Sequence, residues 1–154
     1  MSGKWEPVFR PDMRQNEERE TSMTATETIR AYYDAFNAGD MDAFLALLTD
    51  DVEHDINQGE RQTGKAAFAK FMDHMNRCYK ETLTDMVIMG AGDTRGAAEF
   101  IVNGQYLATD EGLPEAKGQT YKLPAGAFFE LRDGKVARIT NYYNLNDWIA
   151  QVNA

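Results

Sequence analysis

A chain of 154 residues that is 43 % hydrophobic and 11 % aromatic has the size and composition of one globular domain with a single core. Its net charge of −9 speaks against nucleic acid and against an anionic membrane as partners, because both require basic clusters. A lone cysteine, Cys78, excludes a disulfide framework.

Residues 1–22 form a segment of their own. They carry two prolines, the charge cluster Glu17, Glu18, Arg19 and Glu20, and no sustained periodicity. They read as an N-terminal extension, disordered or laid on a partner through Trp5, Val8 and Phe9, with Met23 an equally good natural start. The opening MSGKWEPVFRPDMRQNEERE has no apolar signal core, and no membrane-length apolar run occurs, so a cytoplasmic protein is expected.

The remaining residues, 23–154, read as the domain proper. Thr24 and Glu27 make a capping box for a helix whose apolar stripe is Ile29, Tyr32, Tyr33 and Phe36, stopped by Gly39. Asp40 caps a second short helix carrying Phe44, Leu45, Leu47 and Leu48. VEHDINQG is a strand running into a turn at Gly59, and a third helix covers roughly residues 65–80. Strands follow at 82–89, 97–108 and 119–131, the last expected to bend or bulge at PAG. RDGK makes a hairpin into a strand at 135–144, and a short helix begins near Asn146. Helices followed by a strand meander predict an α+β fold, a curved antiparallel sheet with three N-terminal helices closing a pocket.

No metal and no cofactor are expected, since His54 and His74 lie on different elements and no Cys or His pair has ligand spacing. GAGDTRG lies between strands and reads as a turn, not a phosphate loop. The informative residues are polar ones in apolar strands. On VEHDINQG, Val52, His54 and Ile56 share one face while Glu53, Asp55 and Asn57 share the other, so either orientation turns a titratable group inward. Asn141, between Ile139 and Tyr143 on one face, is costly to bury without a partner. Tyr32 and Tyr33 both fall in a helical apolar stripe, and periodicity does not choose between core and pocket roles for them.

YYDAFNAGDMDAFLALLTDDVEHD resembles the opening of the NTF2-like superfamily, in particular ketosteroid isomerases and SnoaL-like polyketide cyclases. GQTYKLPAGAFFELRDGKVARITNYYNLNDWIAQV resembles the ending of ketosteroid-isomerase-related proteins. The resemblance implies a cone-shaped fold with an apolar pocket, usually a homodimer, here expected through the convex sheet face bearing Glu99, Ile101, Asn103 and Gln105. It puts Tyr32 at the position of the tyrosine that holds an enolate oxygen. Counting without gaps, it places the catalytic base on Ile56; Asp55 serves only if a bulge shifts the strand by one residue. Where the family has a protonated aspartate, this chain has Ala125, Gly126 and Ala127. Losing such a donor costs about 3 to 4 kcal/mol of transition-state stabilisation, so efficient steroid isomerisation is not expected.

The same resemblance sets Phe100, Val102, Gly104, Tyr106, Asn141 and Tyr143 on the pocket wall with His54 turned inward. The expectation is a cofactor-independent acid–base enzyme of isomerase, cyclase or dehydratase type, acting on a small, mostly apolar carbonyl compound. Tyr32 would be the hydrogen-bond donor, facing the pocket while Tyr33 packs toward the second helix or the sheet edge. His54 or Asp55 would be the base. The alternative is a non-catalytic module that binds a small hydrophobic ligand or serves as an interaction domain.

Overall fold

The computed structural model describes residues 23–154; the N-terminal extension expected over 1–22, with Trp5, Val8 and Phe9, lies outside the described residues. Thr24 Oγ1 accepts the Glu27 amide at 3.3 Å and Glu27 Oε2 accepts the Thr24 amide at 3.4 Å, the reciprocal cap that starts helix α1 (Ala25–Ala38). Gly39, in the left-handed region at φ 68°, ends it. Asp40 then caps α2 (Met41–Ala46), with Oδ1 accepting the Ala43 amide at 3.1 Å. This helix is shorter than the sequence suggests. Leu48 is already in strand β1 (Leu48–Asp55), because an unbroken apolar run is equally good for a buried strand.

A three-residue strand, β2 (Arg61–Thr63), was not foreseen; all its residues are exposed, so it carries no apolar alternation. Helix α3 (Lys65–Cys78) follows, and strand β3 (Tyr79–Ala91) starts where the helix was expected to continue. Strands β4 (Arg95–Tyr106), β5 (Thr120–Arg132) and β6 (Lys135–Tyr143) lead to helix α4 (Leu145–Val152), whose cap Asn144 accepts the Asp147 amide.

The six strands form one curved, open sheet in the order β2-β1-β6-β5-β4-β3. The β1–β6 pair is parallel, a departure from the all-antiparallel expectation; the other pairs are antiparallel. PAG does not bulge. Pro124, Ala125 and Gly126 pair in continuous register with β4, and the irregularity falls later, between Glu130 and Leu131.

Helix α1 lies directly on the sheet because Gly96 leaves it room: a Cβ there would stand 2.4 Å from Ile29 Cδ1. Ile29 of this helix is buried in one core with Phe44, Leu48, Val52, Phe129, Val136 and Ile139. The core fills one end of the cone and leaves the other hollow. No described helix is long and apolar enough to cross a membrane.

Candidate active site

The hollow is a cavity of about 680 Å³, in the range of small-molecule sites. Its walls are mostly apolar: Phe36 from α1, Phe68, Phe71 and Met72 from α3, Phe100 and Val102 from β4, Leu123 and Ala125 from β5. Each strand reaches it through alternate residues, so a polar residue in phase with these apolar ones faces the hollow too.

His54 is such a residue. It pairs with Ile139 across β1–β6 and is only 2 % exposed, so the inward register is the one realised. Its ring stacks on Phe68 at 4.2 Å and meets the edge of Phe71 at 4.6 Å. Nε2 lies 3.4 Å from the Asn141 side-chain amide, and Nδ1 is buried with no partner. Burial pushes the His54 pKa down to about 4, against a smaller upward pull from Asp55, so the ring is neutral at pH 7. The near atom of Asn141 is Nδ2, which donates to Nε2 with one of its two protons and leaves the other free, so the ring proton sits on Nδ1.

Tyr32 and Tyr33 both line the cavity, contrary to the expected division between them. It is Tyr32 that packs on the second helix, with its ring 4.5 Å from Phe44, while Tyr33 sits 5.1 Å from Phe100 on the sheet. The two hydroxyls differ. That of Tyr33 is sealed without a partner, whereas that of Tyr32 is neither sealed nor bonded to any described residue. Burial raises the pKa of both phenols, so both stay protonated. Asn141 and Tyr143 also line the cavity, the latter 37 % exposed toward its mouth.

Asp55 does not face the cavity. Arg61 donates to it from Nε at 2.6 Å and from Nη2 at 3.0 Å, and the Thr140 hydroxyl donates at 2.6 Å. These partners, the Arg61 bonds foremost, hold its pKa down to about 2. Val52 and His54 of β1 and the cavity-lining Ile56 just after it share the inner face, and alternation leaves Asp55 on the outer one. Asp55 is therefore corrected from candidate base to anchor of an outer-face ion pair.

Tyr106 and Gly104 are likewise corrected as wall residues. Tyr106 is fully buried beside the cavity; its hydroxyl donates to the Pro114 carbonyl at 2.8 Å and accepts the Asp110 amide at 2.8 Å, fastening the loop after β4. Gly104 is covered by the ring of Tyr121.

Sequence reasoning missed Glu81 and Tyr121. Both line the cavity, and the Tyr121 hydroxyl donates to Glu81 Oε1 at 2.5 Å. Burial pushes the Glu81 carboxyl up, partly offset by that hydrogen bond. The signal was available: Glu81 shares the parity of Tyr79 and buried Leu83 on β3.

His74, Cys78 and Asp110 also come together, with ligand atoms within 4.8 Å of one another. Two of the three are already engaged. His74 Nε2 is 2.9 Å from Asp110 Oδ1, Arg77 donates to His74 Nδ1 at 3.0 Å, and the Tyr79 hydroxyl donates to Asp110 Oδ2 at 2.8 Å. The cluster ties the loop after β4 to α3.

A family profile described as SnoaL-like domain matches residues 29–139. A candidate polyketide cyclase from Pseudomonas putida KT2440 is 70 % identical, with 85 % of this chain and 99 % of that one covered and a TM-score of 0.83. One from Silicibacter sp. TM1040 is 60 % identical, covering 86 % and 98 %, also at 0.83. An epoxide hydrolase of the LEH-like type from M. tuberculosis shares the fold at 17 % identity, covering 84 % and 89 % with a TM-score of 0.64. No functionally curated protein matches the sequence.

Proposed function

The chain belongs to the SnoaL-like domain family, and from that premise we propose that its cavity is the active site of a cofactor-independent acid–base enzyme acting on a small, mostly apolar carbonyl compound. The reaction is of isomerase, cyclase or dehydratase type and takes place in the cytoplasm. The observation that carries this reading is the cavity itself: about 680 Å³ of mostly apolar space into which a few protonated or neutral hydrogen-bonding groups point. Such a lining binds an apolar body and orients one carbonyl.

The Tyr32 hydroxyl and the amide of Asn141 are donors suited to a carbonyl oxygen that becomes an enolate. Donors aimed at developing charge in a dry site act more strongly than they would in water. His54, neutral at pH 7, fixes the orientation of Asn141 and keeps that end of the cavity uncharged. The likeness to candidate polyketide cyclases supports the reaction class. Ala125 and Gly126 bring no carboxyl to the wall, so efficient steroid isomerisation is not proposed.

The test is the ultraviolet assay for conversion of β,γ-unsaturated ketones, from one ring to four, into their conjugated isomers. Turnover by the wild type, cut about 100-fold by Tyr32→Phe or Asn141→Leu, is the expected result. No turnover at any size refutes the catalytic reading and leaves ligand binding.

A second copy of the chain is the proposed partner. Val87, Met89, Phe128 and Tyr142 are each at least half exposed on the convex face, and the rings of Phe128 and Tyr142 pair at 5.9 Å. An apolar patch of this kind marks an interaction surface. Phe128→Glu is expected to turn a dimer into a monomer in sedimentation; a wild-type monomer would contradict the proposal.

A further inference from the structure

We infer that Glu81, held by Tyr121, is the proton-transfer group of this cavity, its Oε2 taking a proton from the carbon beside a substrate carbonyl and handing it back to the product. The inference rests on the reading of the cavity as an active site and adds the base which that reading lacks.

Glu81, Gly104 and Tyr121 occupy one cross-strand row, in register over β3, β4 and β5. The outer two are separated by two strand spacings, roughly 9.5 Å. The Tyr121 side chain crosses that gap by lying flat over Gly104, where a Cβ would stand 2.1 Å from its Cζ. The ring also meets Trp148, at 5.9 Å between centroids. Its hydroxyl is thereby delivered to Oε1 of Glu81 at 2.5 Å. Only a glycine between the two strands permits this bond.

The bond fixes one oxygen of the carboxyl and leaves the other for chemistry. No Lys or Arg among the described residues forms an ion pair with Glu81, and Oε2 has no hydrogen-bond partner among them. Oε2 is also not among the sealed atoms, and the residue lines the cavity, so this oxygen is reachable from within. A carboxyl at an inward strand position with no cation beside it is costly for stability alone. Burial raises its proton affinity, which suits a group that must accept a proton from carbon.

The other titratable groups nearby fit the role less well. Asp110, the second carboxyl on the wall, has both oxygens occupied, by His74 and Tyr79. Asp55 is ion-paired on the outer face. His54 has Nδ1 sealed and Nε2 turned to Asn141.

The step balances without a co-reactant. The C–H bond breaks, its proton forms a bond to Oε2, and its electron pair becomes the enolate. Exchange of the Oε2 proton with solvent before it returns to the same carbon gives deuterium incorporation in D₂O, and its transfer to the γ carbon of an unsaturated ketone gives isomerisation.

The experiment follows deuterium incorporation into 2-tetralone in D₂O by proton NMR, with 2-naphthol binding as the check that the cavity is intact. Glu81→Gln is expected to slow incorporation by about 10² to 10⁴-fold, the usual share of a general base, with 2-naphthol affinity unchanged. Glu81→Met, of similar length and without a carboxyl, is measured alongside so that the result does not hang on one variant folding. Exchange at the wild-type rate in either variant overturns the assignment alone. A wild type that binds 2-naphthol, exchanges no deuterium and isomerises no β,γ-unsaturated ketone refutes the active-site reading, and the inference falls with it.

Discussion

Gly104→Ala is the smallest change that sets the fold against the site. The added methyl would stand 2.1 Å from Tyr121 Cζ, 2.3 Å from Cε2 and 2.4 Å from the hydroxyl. All three atoms belong to one rigid ring, so no flexible chain end can move aside. That ring is 5 % exposed, sits against Trp148 and is tied to Glu81. Overpacking of this kind costs about 1 to 3 kcal/mol, and a rigid ring places this case in the upper half. For a domain of this size the melting temperature falls roughly 2 to 4 °C for each kcal/mol. Urea unfolding of wild type, Gly104→Ala, Tyr121→Leu and the double variant completes a cycle. The double variant should be more stable than the two single costs predict, by roughly 1 kcal/mol or more, because the leucine no longer crosses the alanine. A Gly104→Ala variant as stable as wild type, with additive costs in the cycle, would refute the placement of Tyr121 over the glycine.

Tyr33→Phe removes a sealed hydroxyl that has no partner, and should raise stability by about 1 kcal/mol in the same unfolding assay. The His54 pKa of about 4 lies below its unfolded value of 6.5, so between these limits the unfolded chain binds a proton that the folded one does not. His54 thus holds stability that is complete above pH 6.5 and is lost as pH falls toward 4, roughly 3 kcal/mol in all. A stability profile against pH should lose that slope in His54→Gln. Asp55→Asn weakens the tie to Arg61 on the outer face and should cost stability, by about 1 kcal/mol or less at this partly exposed pair, while ketone turnover stays at the wild-type rate.

The elements that were legible in the sequence are those with local causes. The box of Thr24 and Glu27, the stop at Gly39, the cap at Asp40 and the turn in RDGK each specify backbone geometry within a few residues. Pairing across long separations was not legible. Nothing local in Leu48–Asp55 says that it lies parallel to β6, and exposed β2 has no pattern to read. The face of β1 shows the same limit: alternation left His54 and Asp55 as equal choices, and Arg61 and Thr140, distant in sequence, hold Asp55 outside. Tyr106 obeyed the alternation and still missed the cavity, because the loop that its hydroxyl fastens fills the space before it. Glu81 was hidden for the opposite reason. A charged residue on a strand is ordinarily solvated, and only its shared parity with Leu83 marked it as inward.

Proton transfer at carbon is the chemistry assigned to the cavity. The most direct measurement is the wild-type rate of deuterium incorporation into 2-tetralone, taken with and without 2-naphthol. Incorporation that saturates with ketone and is competitively blocked by the naphthol is the predicted result. A rate equal to the buffer's, in protein that demonstrably binds 2-naphthol, would contradict it.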